Sequence, residues 1–131
     1  METTESTERG RDPLTAKVIG CAIEVHRHLG PGLLESAYEK CFAYELNLAK
    51  VAFRVQAPMP VDYKNVKLDC GFRVDILVQD RLIVELKAVD QIHPIQAAQI
   101  LTYMKLARAS VGLLINFHVR QLIHGIHRFA L

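Results

Sequence analysis

The chain has almost no excess charge of either sign. Its 16 Lys and Arg against 14 Asp and Glu leave a formal net charge of +2 at pH 7. A balance that even supplies no general attraction to a polyanion, so any affinity for nucleic acid has to come from a local site. Paired cysteines are also missing. Cys21, Cys41 and Cys70 are odd in number, lie in apolar surroundings and show no metal-ligand spacing. That pattern argues against a disulfide framework or a structural zinc site and predicts reduced, buried thiols. No apolar run approaches the roughly 18 residues of a membrane span. The opening Met1 to Gly10 lacks the basic-then-apolar order of a signal peptide. The expectations are a cytoplasmic location, no membrane partner and a disordered tail over residues 1–11.

What remains is an ordinary globular balance, half hydrophobic and 23% charged over 131 residues. A chain of this length buries roughly 65–70% of the surface its unfolded form exposes, enough for one domain, expected over residues 12–131. Asp12 before Pro13 marks a helix start. Leu14, Val18, Cys21, Ala22, Val25 and Leu29 then recur at helical spacing until Gly30-Pro31-Gly32 stops the pattern. A second helix is predicted from near Leu33 to Leu48, with Leu34, Tyr38, Cys41, Phe42 and Leu46 as its apolar stripe. Glu35 falls in its first turn, where a carboxylate is favoured by the helix dipole, and Tyr38 sits beside it. Strands are predicted at Val51–Val55, then around Pro58 and Pro60 as an edge segment, then on either side of the polar turn Lys64-Asn65.

The most informative stretch follows. Phe72 to Val78 and Leu82 to Ala88 are two β-branched runs around Gln79-Asp80-Arg81, a hairpin signal. A three-residue loop opposes Val78 to Leu82, Leu77 to Ile83, Asp75 to Glu85 and Arg73 to Lys87. The other face, Val74, Ile76, Val78, Leu82, Val84 and Leu86, is entirely apolar and must be covered. Two carboxylates opposed at about 5 Å repel and call for compensation. Two arrangements supply it: an exposed ladder in which Arg73 is diagonal to Glu85 and Lys87 to Asp75, or a divalent cation held by both carboxylates with Lys87 beside it.

A third helix is predicted from His93-Pro94 to Arg108, with Ile95, Ala98, Leu101, Met104 and Ala107 toward the core. Gln99 and Tyr103, four apart, share a neighbouring polar face. Val111 to Phe117 is a continuous apolar run, the pattern of a central strand covered on both sides. Gly125 to Phe129 is a candidate last strand. His124 and His127 offer two nitrogen donors without the two further ligands that zinc takes.

In this order of elements the chain resembles the PD-(D/E)XK nuclease superfamily, and within it the GxxExxY family. The residues that carry the resemblance are Gly32-Leu33-Leu34-Glu35-Ser36-Ala37-Tyr38, Asp75, Glu85-Leu86-Lys87-Ala88, Gln99 with Tyr103, and Gly112 to Phe117. The resemblance implies an α/β (α+β) fold with a restriction-endonuclease-like core, helices flanking a central mixed sheet whose antiparallel hairpin carries the active site. It further implies that Asp75, Glu85, the Leu86 carbonyl and Glu35 hold Mg²⁺, with Mn²⁺ as the other candidate. Lys87 would activate water, while Gln99, Tyr103 and Tyr38 would contact substrate or support the lysine. Val74 stands where the superfamily has proline.

The expected activity is metal-dependent hydrolysis of phosphodiester bonds, in DNA before RNA, and a homodimer would suit the cutting of two strands. Two rival readings accompany it. One is a nucleic-acid-binding or partner-binding module that keeps the fold without turnover. The other is a structural or regulatory homo-oligomer.

Overall fold

Asp12 caps the first helix as its position before Pro13 predicts. One carboxylate oxygen accepts the Thr15 N–H at 2.8 Å and the other the Thr15 hydroxyl at 2.9 Å. The computed structural model describes residues 3–5, by backbone alone, and 12–131. In chain order the elements are β1 (Thr3–Glu5), α1 (Pro13–Leu29), α2 (Glu35–Leu48), β2 (Phe53–Tyr63), β3 (Val66–Val78), β4 (Leu82–Lys87), α3 (Pro94–Ala107), β5 (Val111–Asn116), a 3₁₀ turn (Leu122–Gly125) and β6 (Ile126–Ala130). Of the tail expected over residues 1–11, only β1 is described, and the remainder lies outside the described residues.

The six strands form one mixed sheet in the order β1-β6-β5-β4-β3-β2. Only β4 and β5 run parallel, because α3 carries the chain back between them. β5 therefore sits centrally and is buried from Gly112 to Asn116, as its unbroken apolar run predicts.

One sheet face carries Ile76, Val78, Leu82, Val84, Leu86, Leu113 and Ile115 and packs against α1 and α2. The other carries Leu77, Ile83 and Leu114 and packs against Ile100, Tyr103 and Met104 of α3. Burial of this kind contributes about 1.5–3 kcal/mol for each large apolar side chain. The α1/α2 layer is the cover that the apolar face of the hairpin required.

Several expectations change. Val74 joins the α3 side rather than the face of Ile76. Alternation breaks at Gln56, whose φ of 50° lies between the rungs Val55 to Ile76 and Ala57 to Val74. In α3 the buried residues are Ile100, Tyr103 and Met104, whereas Ile95 and Ala98 are exposed. That helix is apolar on more than one side, so spacing alone does not choose its inner face. Leu34 and Leu29 are exposed as well. Cys21 is buried as expected, Cys41 is half-buried and Cys70 is exposed on β3, so the prediction of three buried thiols fails at Cys70. No helix among the described residues is long and apolar enough to cross a membrane.

Candidate active site

The hairpin turn forms where the sequence places it. Gln79 and Asp80 take φ of 50° and 55°, the Arg81 N–H returns to the Val78 carbonyl at 3.0 Å, and Val78 pairs with Leu82. Pairing between β3 and β4 then continues only through Leu77 with Ile83 and Ile76 with Val84. The expected rungs Asp75 to Glu85 and Arg73 to Lys87 do not form.

In their place the two carboxylates enter the gap between the parting strands. The Asp75 N–H donates to Glu85 Oε2 at 2.8 Å, and the Leu86 N–H donates to Asp75 Oδ2 at 2.8 Å. Each carboxylate thus takes the ladder bond that the other strand's backbone has lost, which keeps buried N–H groups satisfied. The ion-pair ladder is also absent. Arg73 donates instead to the Gln56 carbonyl at 3.3 Å, and the ion pairs among the described residues are Arg27–Glu24, His28–Glu24, Arg54–Asp80 and His118–Asp90.

Helix α2 brings further acid to the same place. Glu35, its first residue, accepts the Ala88 N–H at 3.3 Å just past the end of β4. Gln56, which the sequence reading passed over, donates to Glu39 at 2.8 Å and to Asp75 Oδ1 at 3.4 Å. It is a polar residue in an alternating strand, a pattern that signals solvent rather than a bridge.

Burial pushes the Glu85 carboxyl up to about 7, and the Asp75 and Glu35 charges add to the rise; the Asp75 N–H and Lys87 act the other way. Lys87 is half-buried, two residues beyond Glu85 on the same strand face. From α3, Tyr103 lies 8% exposed with its ring 5.8 Å from that of Phe72. Burial raises the Tyr103 hydroxyl pKa, and the charges of Glu85 and Asp75 raise it further, which places the ring near the pair.

The remaining expected residues divide. Gln99 is exposed on α3, one turn before the buried Tyr103, so the two do not share an environment. Tyr38 is wholly buried, stacked on Phe117 at 4.4 Å, and donates to the Gly30 carbonyl at 2.5 Å. It supports the helix that carries Glu35 and offers no surface to a substrate.

Among the described residues no three His, Cys, Asp or Glu side chains converge closely enough to hold a metal ion. The donor set still fits a hard divalent cation. Two carboxylates meet in one gap with no ion pair to either among the described residues, one of them is pushed up to about 7 by burial and by the charge of the other, and a third carboxylate bounds the same end of β4. Mg²⁺ is ordinarily bound through one or two carboxylates, with water and substrate phosphate completing its shell. A cavity of about 280 Å³ between α1 and α2, lined by Val25, Leu29, Cys41 and Tyr44 together with Glu24, His28, Lys40 and Glu45, lies apart from these acids.

A family model described as the PD-(D/E)XK nuclease superfamily matches residues 12–129. Comparison with curated proteins and with solved structures finds no match.

Proposed function

The chain belongs to the PD-(D/E)XK nuclease superfamily, and on that premise we propose that it hydrolyses phosphodiester bonds with a divalent cation held at Asp75 and Glu85. The observation that carries the reading is the carboxylate pair across the parted strands, joined through each other's backbone N–H groups. The Leu86 carbonyl and Glu35, directly or through water, are the further donors we assign. Mg²⁺ is the first candidate and Mn²⁺ the second, since both favour hard oxygen ligands. When bound, such an ion neutralises charge growing on the phosphoryl oxygens and lowers the pKa of a coordinated water.

The chain's own groups do the rest. Lys87 orients the attacking water by hydrogen bonding and offsets negative charge at the phosphorus. Water adds to phosphorus, the bond to the leaving sugar oxygen breaks, and that oxygen takes a proton, leaving a phosphomonoester and a hydroxyl. Buried Glu85, which titrates near neutrality, is charged for this work only above about pH 7 or beside a cation. Gln56 and Tyr103 line the pair from β2 and α3.

DNA is the proposed substrate ahead of RNA, and a homodimer fits cleavage of both strands. The Gly32, Glu35 and Tyr38 spacing supports placement in the GxxExxY branch. A nucleic-acid-binding or partner-binding module without turnover is the second reading. It is favoured by the absence of three converging metal-ligating side chains among the described residues.

Incubating the purified chain with linear and circular DNA and with RNA, with Mg²⁺, Mn²⁺ or chelator, tests the proposal. Cleavage that needs the metal and is lost in both Asp75→Ala and Lys87→Ala supports it. Metal-independent cleavage, or cleavage retained in both variants, rejects the assignment. No cleavage of any substrate by the parent favours the module without turnover.

A further inference from the structure

We propose that Asn116 is a positioning residue for this site, an inference that rests on the nuclease reading for its catalytic consequence. Asn116 closes β5 and is 4% exposed, the first polar side chain after five residues of apolar strand. It lies opposite Lys87 in the parallel ladder, and the next backbone N–H, that of Phe117, donates to the Lys87 carbonyl at 2.8 Å.

There β4 ends, yet the pairing does not. Asn116 Oδ1 accepts the Val89 N–H at 3.1 Å, and its Nδ2 donates to the Val89 carbonyl at 2.9 Å. The same oxygen accepts the His118 N–H at 3.1 Å. A carboxamide carries the donor and acceptor of a peptide group, so this side chain extends the ladder two residues past Lys87 as though it were another strand.

The span held between the last ladder rung and this clamp is Ala88, whose N–H donates to Glu35. Asn116 therefore fixes the peptide that Glu35 binds and the backbone exit of Lys87. A residue needed only to fill the core would be apolar, like the five before it. Asp would keep the acceptors but face the Val89 carbonyl with an oxygen and no donor, and Leu would fill the space with neither.

The test compares the parent with Asn116→Asp and Asn116→Leu, using native-state amide exchange together with kcat and KM for metal-dependent cleavage of DNA. The expected result is local. Exchange at Ala88 and Val89 accelerates about tenfold or more, while the β5–β6 amides keep their protection. In the same variants kcat falls about 10- to 100-fold, with KM changed by less than about threefold. Unchanged exchange at Ala88 and Val89 overturns the proposal, and so does a uniform acceleration across the sheet in both variants. Exchange does not depend on turnover. Lost protection at Ala88 and Val89 with no cleavage by the parent would reject the nuclease reading and leave the positioning role standing. Unchanged protection in an active enzyme would do the reverse.

Discussion

Asp75 and Glu85 are joined crosswise through the backbone: the Asp75 N–H binds Glu85 Oε2, and Asp75 Oδ2 binds the Leu86 N–H, both at 2.8 Å. These bonds stand where two strands stop pairing, so two acids that repel one another are held together by donors that would otherwise be orphaned. The arrangement leaves Glu85 buried beside like charge, and its carboxyl at about 7 records the cost.

That cost has a sign in pH. Glu85 in an unfolded chain ionises near its ordinary value of 4.5, whereas the folded chain keeps the proton up to about 7. Between those values the folded state binds more protons, so stability of the metal-free protein falls as pH rises, by about 3 kcal/mol in full. Glu85→Gln removes this contribution. Chemical denaturation at about pH 5 and about pH 8 is expected to show a smaller loss for the variant, which becomes the more stable protein at the higher pH. The same loss in both proteins would mean that Glu85 is not the group that titrates.

Tyr38→Phe is expected to cost about 0.5–1.5 kcal/mol, because it removes the donor to the half-buried Gly30 carbonyl and the acceptor 3.2 Å from the Leu33 N–H. The stack on Phe117 survives in the variant, so the loss measures the hydroxyl alone. Denaturation midpoints within error of the parent would show that the turn before α2 holds without it.

Two glycines separate backbone from side-chain crowding. A Cβ at Gly125 meets the Asn116 carbonyl oxygen at 2.2 Å, whereas one at Gly112 meets the flexible end of Met104 at 2.7 Å. Gly125→Ala is expected to lower stability by about 1–3 kcal/mol or more, and Gly112→Ala by less. Thermal melts of the two variants decide the order, and a more stable Gly125→Ala would contradict it.

Tyr103→Ala opens a hole beside Phe72 and Met104 and is expected to cost about 3–5 kcal/mol, while Tyr103→Phe costs less than about 1.5 kcal/mol. If the hydroxyl supports the carboxylate pair, Phe lowers the cleavage rate more than its stability loss accounts for. An unchanged rate in Tyr103→Phe would restrict this residue to packing.

Much of this architecture was legible in residue order. Asp12-Pro13, Gly30-Pro31-Gly32, Gln79-Asp80-Arg81 and the run from Val111 mark boundaries by local chemistry, and the structure keeps them. The hairpin register was legible as far as Ile76 and Val84 and no further. Period-two reasoning assumes that side chains leave the sheet plane. It has no means of seeing an acid that turns into the plane to replace a ladder bond, nor the positive φ at Gln56, beside the point on β3 where Val74 and Ile76 part to different faces. The inner face of α3 was illegible for another reason: with apolar residues on several sides, only the neighbouring sheet selects Tyr103. Asn116 was visible as a polar end to an apolar run, but its partner at Val89 is 27 residues away and comes into range only when β4 and β5 align.

The most direct measurement is calorimetric titration of Mn²⁺ and Mg²⁺ into the parent, Asp75→Ala and Glu85→Gln at about pH 8, where Glu85 is charged, and again at about pH 6. The account predicts saturable binding to the parent that is lost in both variants. At the lower pH it also predicts a weaker affinity accompanied by proton release, because Glu85 must give up its proton to bind. Binding that persists in both variants, or a parent that binds neither ion at either pH, would contradict the claim that these two carboxylates form the metal site.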